Sequence, residues 1–256
     1  MISKQAVIDP TAKLATDVTV GPFTFIGPHV EIDAGTVIGP HVVIMGPTKI
    51  GKNNQFYQFA SIGEACQDKK YHGEDTRLEI GDNNVFREGC TVHRGTLQGG
   101  GITIIGNDNF FMVNTHVAHD CIIGNNVTFS NNAAIAGHVR VGDYASLGGF
   151  VGVHQFCSIG AHSFAGGGSM IMKDVAPFVR VFGNPAQIHG LNTVGLTRRE
   201  FSSEVMQSLK QAYKIVFRTS LTVKDAVAEL NELIISCPEV ILMRDFLLQS
   251  ERGVTR

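Results

Sequence analysis

The chain of 256 residues carries a formal net charge of −2, with 43% hydrophobic and 17% charged residues. This composition excludes disordered and fibrous proteins, and the near-neutral charge argues against a protein that binds nucleic acid through overall positive charge. No apolar stretch is long enough to span a bilayer, and the first residues lack a signal-peptide core, so the sequence predicts a cytoplasmic chain without an integral membrane segment. Five cysteines without a CxxC pair indicate neither a disulfide framework nor a zinc site.

The first two thirds of the chain repeat with a period of six residues. Large apolar residues recur at every sixth position from Ile8 to Ile62 and resume at Ile80; after a shift of one position, apolar residues continue at the same spacing from Ile105 to Ile171, all of them large except Ala165. A small or β-branched residue follows four positions after most of them, and glycine often follows directly. A period of six fits neither an amphipathic helix nor a plain two-residue alternation, but it fits a short strand, a turn and another short strand.

Three six-residue units make one triangular coil, and stacked coils form a parallel β-helix in which residues i and i+18 lie about 4.8 Å apart. The sequence therefore predicts a mainly β fold, with a β-helix over residues 1–190. Polar or glycine-rich segments at about 64–79 and 94–104 interrupt the repeat. Insertions in a solenoid become loops on one face, often the binding face, although tolerated surface loops are the alternative.

The repeat ends after Ile171, and a connector rich in proline and glycine follows. A helix is then predicted after Ser203, a second after the potential cap Thr222 and a third from Pro238. We expect residues 191–256 to form a C-terminal α-helical domain that covers one end of the solenoid, because such an end does not stay bare.

Histidines cluster when they are placed by the 18-residue coil. His119, Gly137 and Gln155 are spaced by 18 and should form one column on one face. The residues expected beside this column are His116, His138 and His154.

Such a column suits acyl transfer. A histidine near its ordinary pKa is a natural general base for a hydroxyl, and an unencumbered glycine N–H can stabilise an oxyanion. Asp120 follows His119 directly, so it can orient the imidazole only if a turn brings it round to the same side. No serine or cysteine lies in a recognisable nucleophile motif, which favours direct attack by a substrate hydroxyl.

Two other interpretations remain open from the residues alone. The histidines at 116, 119 and 138 could form a zinc site of the three-histidine type, as in a zinc-dependent β-helix enzyme. The solenoid could also be purely structural.

Seven motifs in order resemble the UDP-N-acetylglucosamine O-acyltransferase family of lipid A synthesis. They are Gln-Asp-Lys-Lys-Tyr (67–71), His-Arg-Gly-Thr (93–96), His-Val-Ala-His-Asp-Cys (116–121), Ala-Gly-His-Val (136–139), His-Gln-Phe-Cys (154–157), Gly-Asn-Pro-Ala (183–186) and the terminal Glu-Arg-Gly-Val-Thr-Arg. The resemblance implies a left-handed β-helix and a homotrimer with active sites between neighbouring β-helices. It also implies transfer of an (R)-3-hydroxyacyl chain from acyl carrier protein to the glucosamine 3-hydroxyl of UDP-N-acetylglucosamine, the first step of lipid A biosynthesis. The donor's phosphopantetheine is then the only prosthetic group involved, and no metal is required.

The resemblance also implies residue roles. His119 matches the general base, Asp120 its orienting partner and Gly137 the oxyanion donor. Positions around the sugar nucleotide and acyl group are matched by Asp68, Lys70, His116, His138, His154, Gln155, Asn192, Arg198 and Arg199. Gly167, with Met170 nearby, falls where the family gauges acyl length, and a glycine there predicts a longer chain unless Met170 or Met172 fills the space.

Two features leave further questions. Val194 stands where the family often has a glutamate, which puts the nucleotide contacts in question. Lys210, Lys214 and Arg218 are spaced for one helix face, which fits docking of an acidic carrier protein and also fits a solvated surface. A coenzyme A-dependent acetyltransferase of the same fold is the enzyme alternative.

Overall fold

A computed structural model describes residues 1–256 and shows that the six-residue repeat builds very short strands. Most strands contain two residues, of which the second points inwards and is buried, as at Ile26 and Ile44. In chain order the strands are β1 (Val7–Ile8), β2 (Lys13–Leu14), β3 (Thr19–Val20), β4 (Phe25–Ile26), β5 (Val30–Ile32), β6 (Val37–Ile38), β7 (Val43–Ile44), β8 (Thr48–Ile50), β9 (Gln55–Phe56), β10 (Ser61–Glu64), β11 (Arg77–Ile80), β12 (Val85–Phe86), β13 (Thr91–His93), β14 (Ile102–Ile105), β15 (Phe110–Phe111), β16 (His116–Val117), β17 (Ile122–Ile123), β18 (Thr128–Phe129), β19 (Ala134–Ile135), β20 (Arg140–Val141), β21 (Ser146–Leu147), β22 (Gly152–Val153), β23 (Ser158–Ile159), β24 (Phe164–Ala165), β25 (Met170–Ile171), β26 (Val179–Phe182) and β27 (Gln187–Leu191).

Every third strand belongs to the same sheet, so the chain winds as a triangular prism. Sheet A runs β3-β6-β9-β12-β15-β18-β21-β24-β26-β27, sheet B runs β1-β4-β7-β10-β13-β16-β19-β22-β25, and sheet C runs β2-β5-β8-β11-β14-β17-β20-β23. Neighbouring strands are parallel, with partners such as His116 and Ala134 in register, and only β26 and β27 pair antiparallel. The predicted left-handed parallel β-helix is confirmed.

The interior is one continuous column of apolar side chains. Phe56, Phe86 and Phe111 stack in successive coils with ring centroids 4.9 and 4.7 Å apart and nearly parallel planes. Stacking is possible because each coil places its inward residue directly above that of the coil before it. All five cysteines are unpaired and buried.

The three outer faces differ in charge. The outward residues of sheet C include Lys13, Glu31, Lys49, Glu79 and Arg140. On sheet B the outward strand residues are mostly small or apolar, from Val7 and Phe25 to Ala134, Gly152 and Met170, and the one lysine, arginine, aspartate or glutamate in its strands is the half-buried Glu64 at the end of β10. Sheet A resembles sheet B, apart from Arg180 on β26.

Both inserted loops leave the prism at the same edge. We name this edge, where each sheet-B strand turns into the next sheet-C strand, the BC corner. Strand pairing continues further into the predicted insertions than expected, so that residues 65–76 and 94–101 form the connections between β10 and β11 and between β13 and β14. The next BC corner along the chain lies between β16 and β17 and contains His119 and Asp120.

Four helices follow the strands: α1 (Thr193–Arg198), α2 (Ser203–Phe217), α3 (Val223–Ser236) and α4 (Ile241–Gln249). A 3-10 turn at Pro238–Val240 precedes α4, and another, at Leu97–Gly99, lies in the second inserted loop. The short α1 was not predicted. The cap of α2 is Ser202, whose hydroxyl accepts the Val205 N–H, while Thr222 caps α3 as predicted. The chain end is fastened to the last coil through Asp174, which bonds Ser250 and Thr255. None of these helices combines the length and apolarity that crossing a membrane requires.

Candidate active site

The BC corner below the two inserted loops opens into the largest groove described on the chain, a cavity of about 1040 Å³. Of the residues singled out from the sequence, it is lined by Asp68, Lys70, His116, His119, Gly137, His138, His154, Gln155 and Met170. The column of His119, Gly137 and Gln155 arises because β16, β19 and β22 are in register at 18-residue spacing.

His119 and Asp120 form a hydrogen-bonded pair although they are sequence neighbours. Asp120 has a φ of 59°, a left-handed turn conformation that aspartate tolerates better than most residues. This turn brings its carboxylate round to the imidazole, so that His119 Nδ1 lies 2.7 Å from Asp120 Oδ2. The imidazole side chain is 16% exposed and the carboxylate is fully buried. The open Nε2 edge of the ring is therefore the end available to a substrate.

Thr96 in the second inserted loop completes the surroundings of Asp120, and the sequence interpretation gave it no role. Its N–H donates to Asp120 Oδ1 at 2.7 Å, and its hydroxyl donates to Oδ2 at 2.6 Å. Burial would raise the pKa of Asp120, but the bonds from His119 and Thr96 outweigh it, and the pKa of this carboxyl lies below its ordinary value. The carboxylate is consequently ionised at neutral pH.

Gly137 presents a free backbone N–H beside the imidazole. Gly137 lies two residues after the buried strand residue Ile135. The N–H at this corner position makes no backbone–backbone hydrogen bond, and proline, which has no N–H, occupies the position at 10, 22, 28, 40 and 177. The Gly137 N–H donates to no group of the chain. A Cβ at Gly137 would lie 2.5 Å from His119 Cε1 and 2.6 Å from Nε2, so a side chain there would displace the ring.

Two other histidines of the groove, His116 and His138, are held in their neutral form. Burial lowers the pKa of His116 to about 4. Thr91 Oγ1 lies 2.7 Å from His116 Nδ1. Burial also lowers the pKa of His138, despite the opposing effect of Asp120. His138 meets His119 edge-on at 5.2 Å between ring centroids and stacks on Phe156 at 4.4 Å. At neutral pH these two rings therefore add no positive charge to the groove.

The remaining residues that the resemblance assigns to the nucleotide lie elsewhere on the chain. Asn192, Arg198 and Arg199 line a second cavity, of about 560 Å³, over the outer face of sheet A. Arg199 is fixed by the Tyr144 ring, 4.9 Å from its guanidinium carbon, and donates to the Tyr144 carbonyl at 3.1 Å. Val194 and Arg180 line the same cavity, which contains three arginines and no carboxylate. One chain thus carries the predicted residues in two separate places.

The two residues predicted to gauge acyl length are also separated. Met170 lines the groove from β25, whereas Gly167 lies at the corner between sheets A and B and lines none of the cavities described here. Met172 borders both the groove and an apolar cavity of about 530 Å³ below it, between the last coil and the helices. An acyl chain that extended from His119 along sheet B would therefore reach Met170 and Met172 before Gly167.

A metal ion is one possible occupant of this corner. His119, Asp120 and His138 each offer one ligand atom, and these atoms lie within 4.8 Å of one another. His119 Nδ1 and Asp120 Oδ2 are, however, already bonded to each other, and Thr96 bonds both carboxylate oxygens. The donor set is therefore better matched to a proton-transfer pair than to a metal centre, where those atoms would have to separate.

Comparison with known proteins agrees with these features. Residues 174–255 match the model of the second domain of UDP-N-acetylglucosamine O-acyltransferases, and residues 102–137 match six bacterial transferase hexapeptide repeats. The acyl-[acyl-carrier-protein]–UDP-N-acetylglucosamine O-acyltransferase of Pseudomonas entomophila is 55% identical over 100% of this chain and 99% of its own length. The structure of LpxA from Acinetobacter baumannii superposes with a TM-score of 0.98 at 50% identity, covering 100% of this chain and 99% of that one. The UDP-N-acetylglucosamine O-acyltransferase of Moraxella catarrhalis gives 0.97 at 47% identity, with the same coverage of both chains. The chain belongs to the UDP-N-acetylglucosamine O-acyltransferase family.

Proposed function

We propose that this chain transfers an (R)-3-hydroxyacyl group from acyl carrier protein to the glucosamine 3-hydroxyl of UDP-N-acetylglucosamine, the first step of lipid A biosynthesis. The observation that carries the proposal is the hydrogen-bonded His119–Asp120 pair, with its carboxylate buried, beside the free N–H of Gly137. The five unpaired cysteines support a reducing compartment such as the cytoplasm.

The proposed reaction needs only groups at the BC corner and the donor's own phosphopantetheine. His119 Nε2 takes the proton of the sugar hydroxyl as its oxygen attacks the thioester carbonyl. Asp120 holds Nδ1–H and balances the charge of the imidazolium, and the Gly137 N–H donates to the developing oxyanion. Collapse of this intermediate breaks the carbon–sulfur bond, and the leaving thiolate receives the proton back from Nε2, so that no net proton is released.

A homotrimer explains why the predicted substrate residues lie in two places. Sheets A and B are nearly free of charge on their outer faces, whereas sheet C is charged, which favours an assembly that covers A and B. If sheet B of one protomer faces sheet A of the next, a cyclic three-fold arrangement repeats the same contact. The groove with His119 then faces the cavity with Arg198 and Arg199 of the neighbour. A pair of guanidinium groups suits the diphosphate of a sugar nucleotide.

Activity assays of the purified protein test the proposal directly. We expect acylation of UDP-N-acetylglucosamine by (R)-3-hydroxyacyl carrier protein and none by acetyl-coenzyme A. His119→Ala should lower kcat by about 10²- to 10⁴-fold with the fold intact, as loss of a general base does. A near-normal rate would remove His119 from this role. Acetyl transfer from coenzyme A, or loss of activity on dialysis against EDTA, would support the alternative chemistries.

Gly137→Ala tests the close approach of the backbone to the imidazole. The added methyl would collide with the His119 ring, so we expect kcat to fall by a factor comparable to loss of His119 while thermal unfolding changes little. Gly149→Ala is the matched control, because Gly149 occupies the same position of a different corner and its Cβ would lie 3.4 Å from its nearest neighbour, Asn131 O. Equal rates for the two variants would contradict the proposed role.

Complementation tests whether the site is shared between protomers. His119→Ala and Arg199→Ala chains, each weakly active alone at low UDP-N-acetylglucosamine, should regain activity when they are co-expressed. Mixed trimers contain clefts that combine the intact His119 of one chain with the intact Arg199 of another. An activity no higher than the sum of the separate variants would show that each chain works alone.

The acyl groove makes a prediction about donor length. From the coil of His119 to that of Met172 is three rises, about 14 Å, and the apolar cavity lies beyond. We expect rates measured across a series of donors to be highest for chains longer than ten carbons, and Gly167→Met to move the optimum to shorter donors. Preference of the unaltered protein for a ten-carbon donor would contradict this and would assign the length limit to Met170 and Met172.

A further inference from the structure

The second inserted loop is built against the carboxylate of Asp120. Thr96 is 2% exposed, and both its N–H and its hydroxyl donate to that carboxylate, one to each oxygen. Directly beyond it, Gly99 packs so closely that a Cβ would lie between 2.0 and 2.3 Å from the carboxylate atoms of Asp120. The loop therefore encloses the side of Asp120 that faces away from His119.

The loop holds this shape through bonds of its own. Gly101 N–H donates to the Thr96 carbonyl at 2.7 Å, and Gly100 N–H donates to the Leu97 carbonyl at 3.2 Å. The Thr96 hydroxyl oxygen also accepts the Gly99 N–H at 3.3 Å and so caps the short 3-10 turn. The hydroxyl oxygen of Thr103, just after the loop, accepts the Asp120 N–H at 2.8 Å. The donors aimed at the carboxylate are thus fixed before any substrate arrives.

A fixed carboxylate matters because two imidazoles compete for it. Asp120 Oδ2 lies 2.7 Å from His119 Nδ1 but also 3.7 Å from His138 Nε2. A small rotation of the carboxyl group would shorten the second distance at the expense of the first. Donors from Thr96 on both oxygens oppose that rotation, because a carboxylate that turned would lose them.

We propose that Thr96, supported by Gly99, is a positioning residue that clamps the carboxylate of Asp120 onto His119 rather than His138. This proposal deepens the proposed function and rests on it. It assigns the inserted loop of residues 94–101 to the organisation of the catalytic pair. The bonds from Thr96 also help to hold the pKa of Asp120 below its ordinary value.

Thr96→Val and Thr96→Ser form the central test. The valine variant keeps the shape and the N–H but removes the hydroxyl donor, so we expect kcat to fall about 10- to 100-fold with KM for both substrates unchanged. Serine should restore most of the rate. Thr24→Val is the matched control: Thr24 is a buried threonine whose hydroxyl donates to the Gly39 carbonyl at another corner, and this variant should leave kcat unchanged.

The pH profile separates positioning from a merely structural role. Loss of a hydrogen bond to the charged carboxylate raises the pKa of Asp120. The fall of kcat at acid pH reports the apparent pKa of the coupled His119–Asp120 pair, so it should begin at higher pH in Thr96→Val than in the unaltered protein. The same shift can be followed without turnover by NMR titration of the folded protein. An unshifted limb, or a serine variant as slow as the valine variant, would overturn the proposal.

Gly99→Ala provides a second route if Thr96→Val does not fold. Its methyl presses on the carboxylate without removing a donor side chain, and we expect the same loss in kcat at constant KM. Leu97→Ala, at an exposed residue of the same turn, is its control and should be neutral. Normal kcat in Gly99→Ala would overturn the clamp. Failure of the unaltered protein to transfer acyl groups would instead overturn the proposed function.

Discussion

The hydrogen-bond register between successive coils is the constraint on which the site depends. Each strand pairs with the strand of the next coil, and where no insertion intervenes the partners are 18 residues apart, as His116 is paired with Ala134. The corners are therefore stacked as strictly as the strands, which places Gly137 directly beside the His119 ring. Because the backbone of the corner fixes this contact, the imidazole and the glycine N–H keep their relative position without a flexible loop between them.

The two insertions use the same register for a different purpose. They replace the turns at two consecutive BC corners, and the next BC corner along the chain contains His119 and Asp120. Loops inserted elsewhere in the solenoid would have projected from other edges, away from the pair. Lengthening two turns thus supplies the polar side of the groove, with Asp68, Lys70 and the donors of Thr96. The apolar interior of the prism continues without interruption at the same level.

The fold and the histidine column could be predicted from the sequence because both follow from one period. Other contacts of the site could not be, because they depend on backbone conformation or on the inserted loops. Asp120 reaches His119 through a left-handed corner that recurs every six residues, as at Asn114 and Asn126, but the apolar repeat does not show that conformation, and alternation along a strand would have placed the two side chains on opposite sides. Thr96 bonds Asp120 across 24 residues, and the strand before its loop, β13, pairs Thr91 with His116 of β16 at a spacing of 25. Because the separation between Thr96 and Asp120 is not a multiple of 18, the coil spacing does not predict their contact.

The distribution of charge connects the chemistry with the surface. Burial lowers the pKa of His116 and His138, so both rings are neutral at neutral pH and the buried, ionised carboxylate of Asp120 faces no imidazolium in the resting groove from either of them. The three arginines of the second cavity, Arg180, Arg198 and Arg199, lie over sheet A, and none of them lines the groove within a single chain. Had they shared the corner, they would compete with His119 for Asp120. In the proposed trimer the arginines would meet the His119–Asp120 pair only across a protomer boundary, so that each group keeps the charge that its proposed task requires.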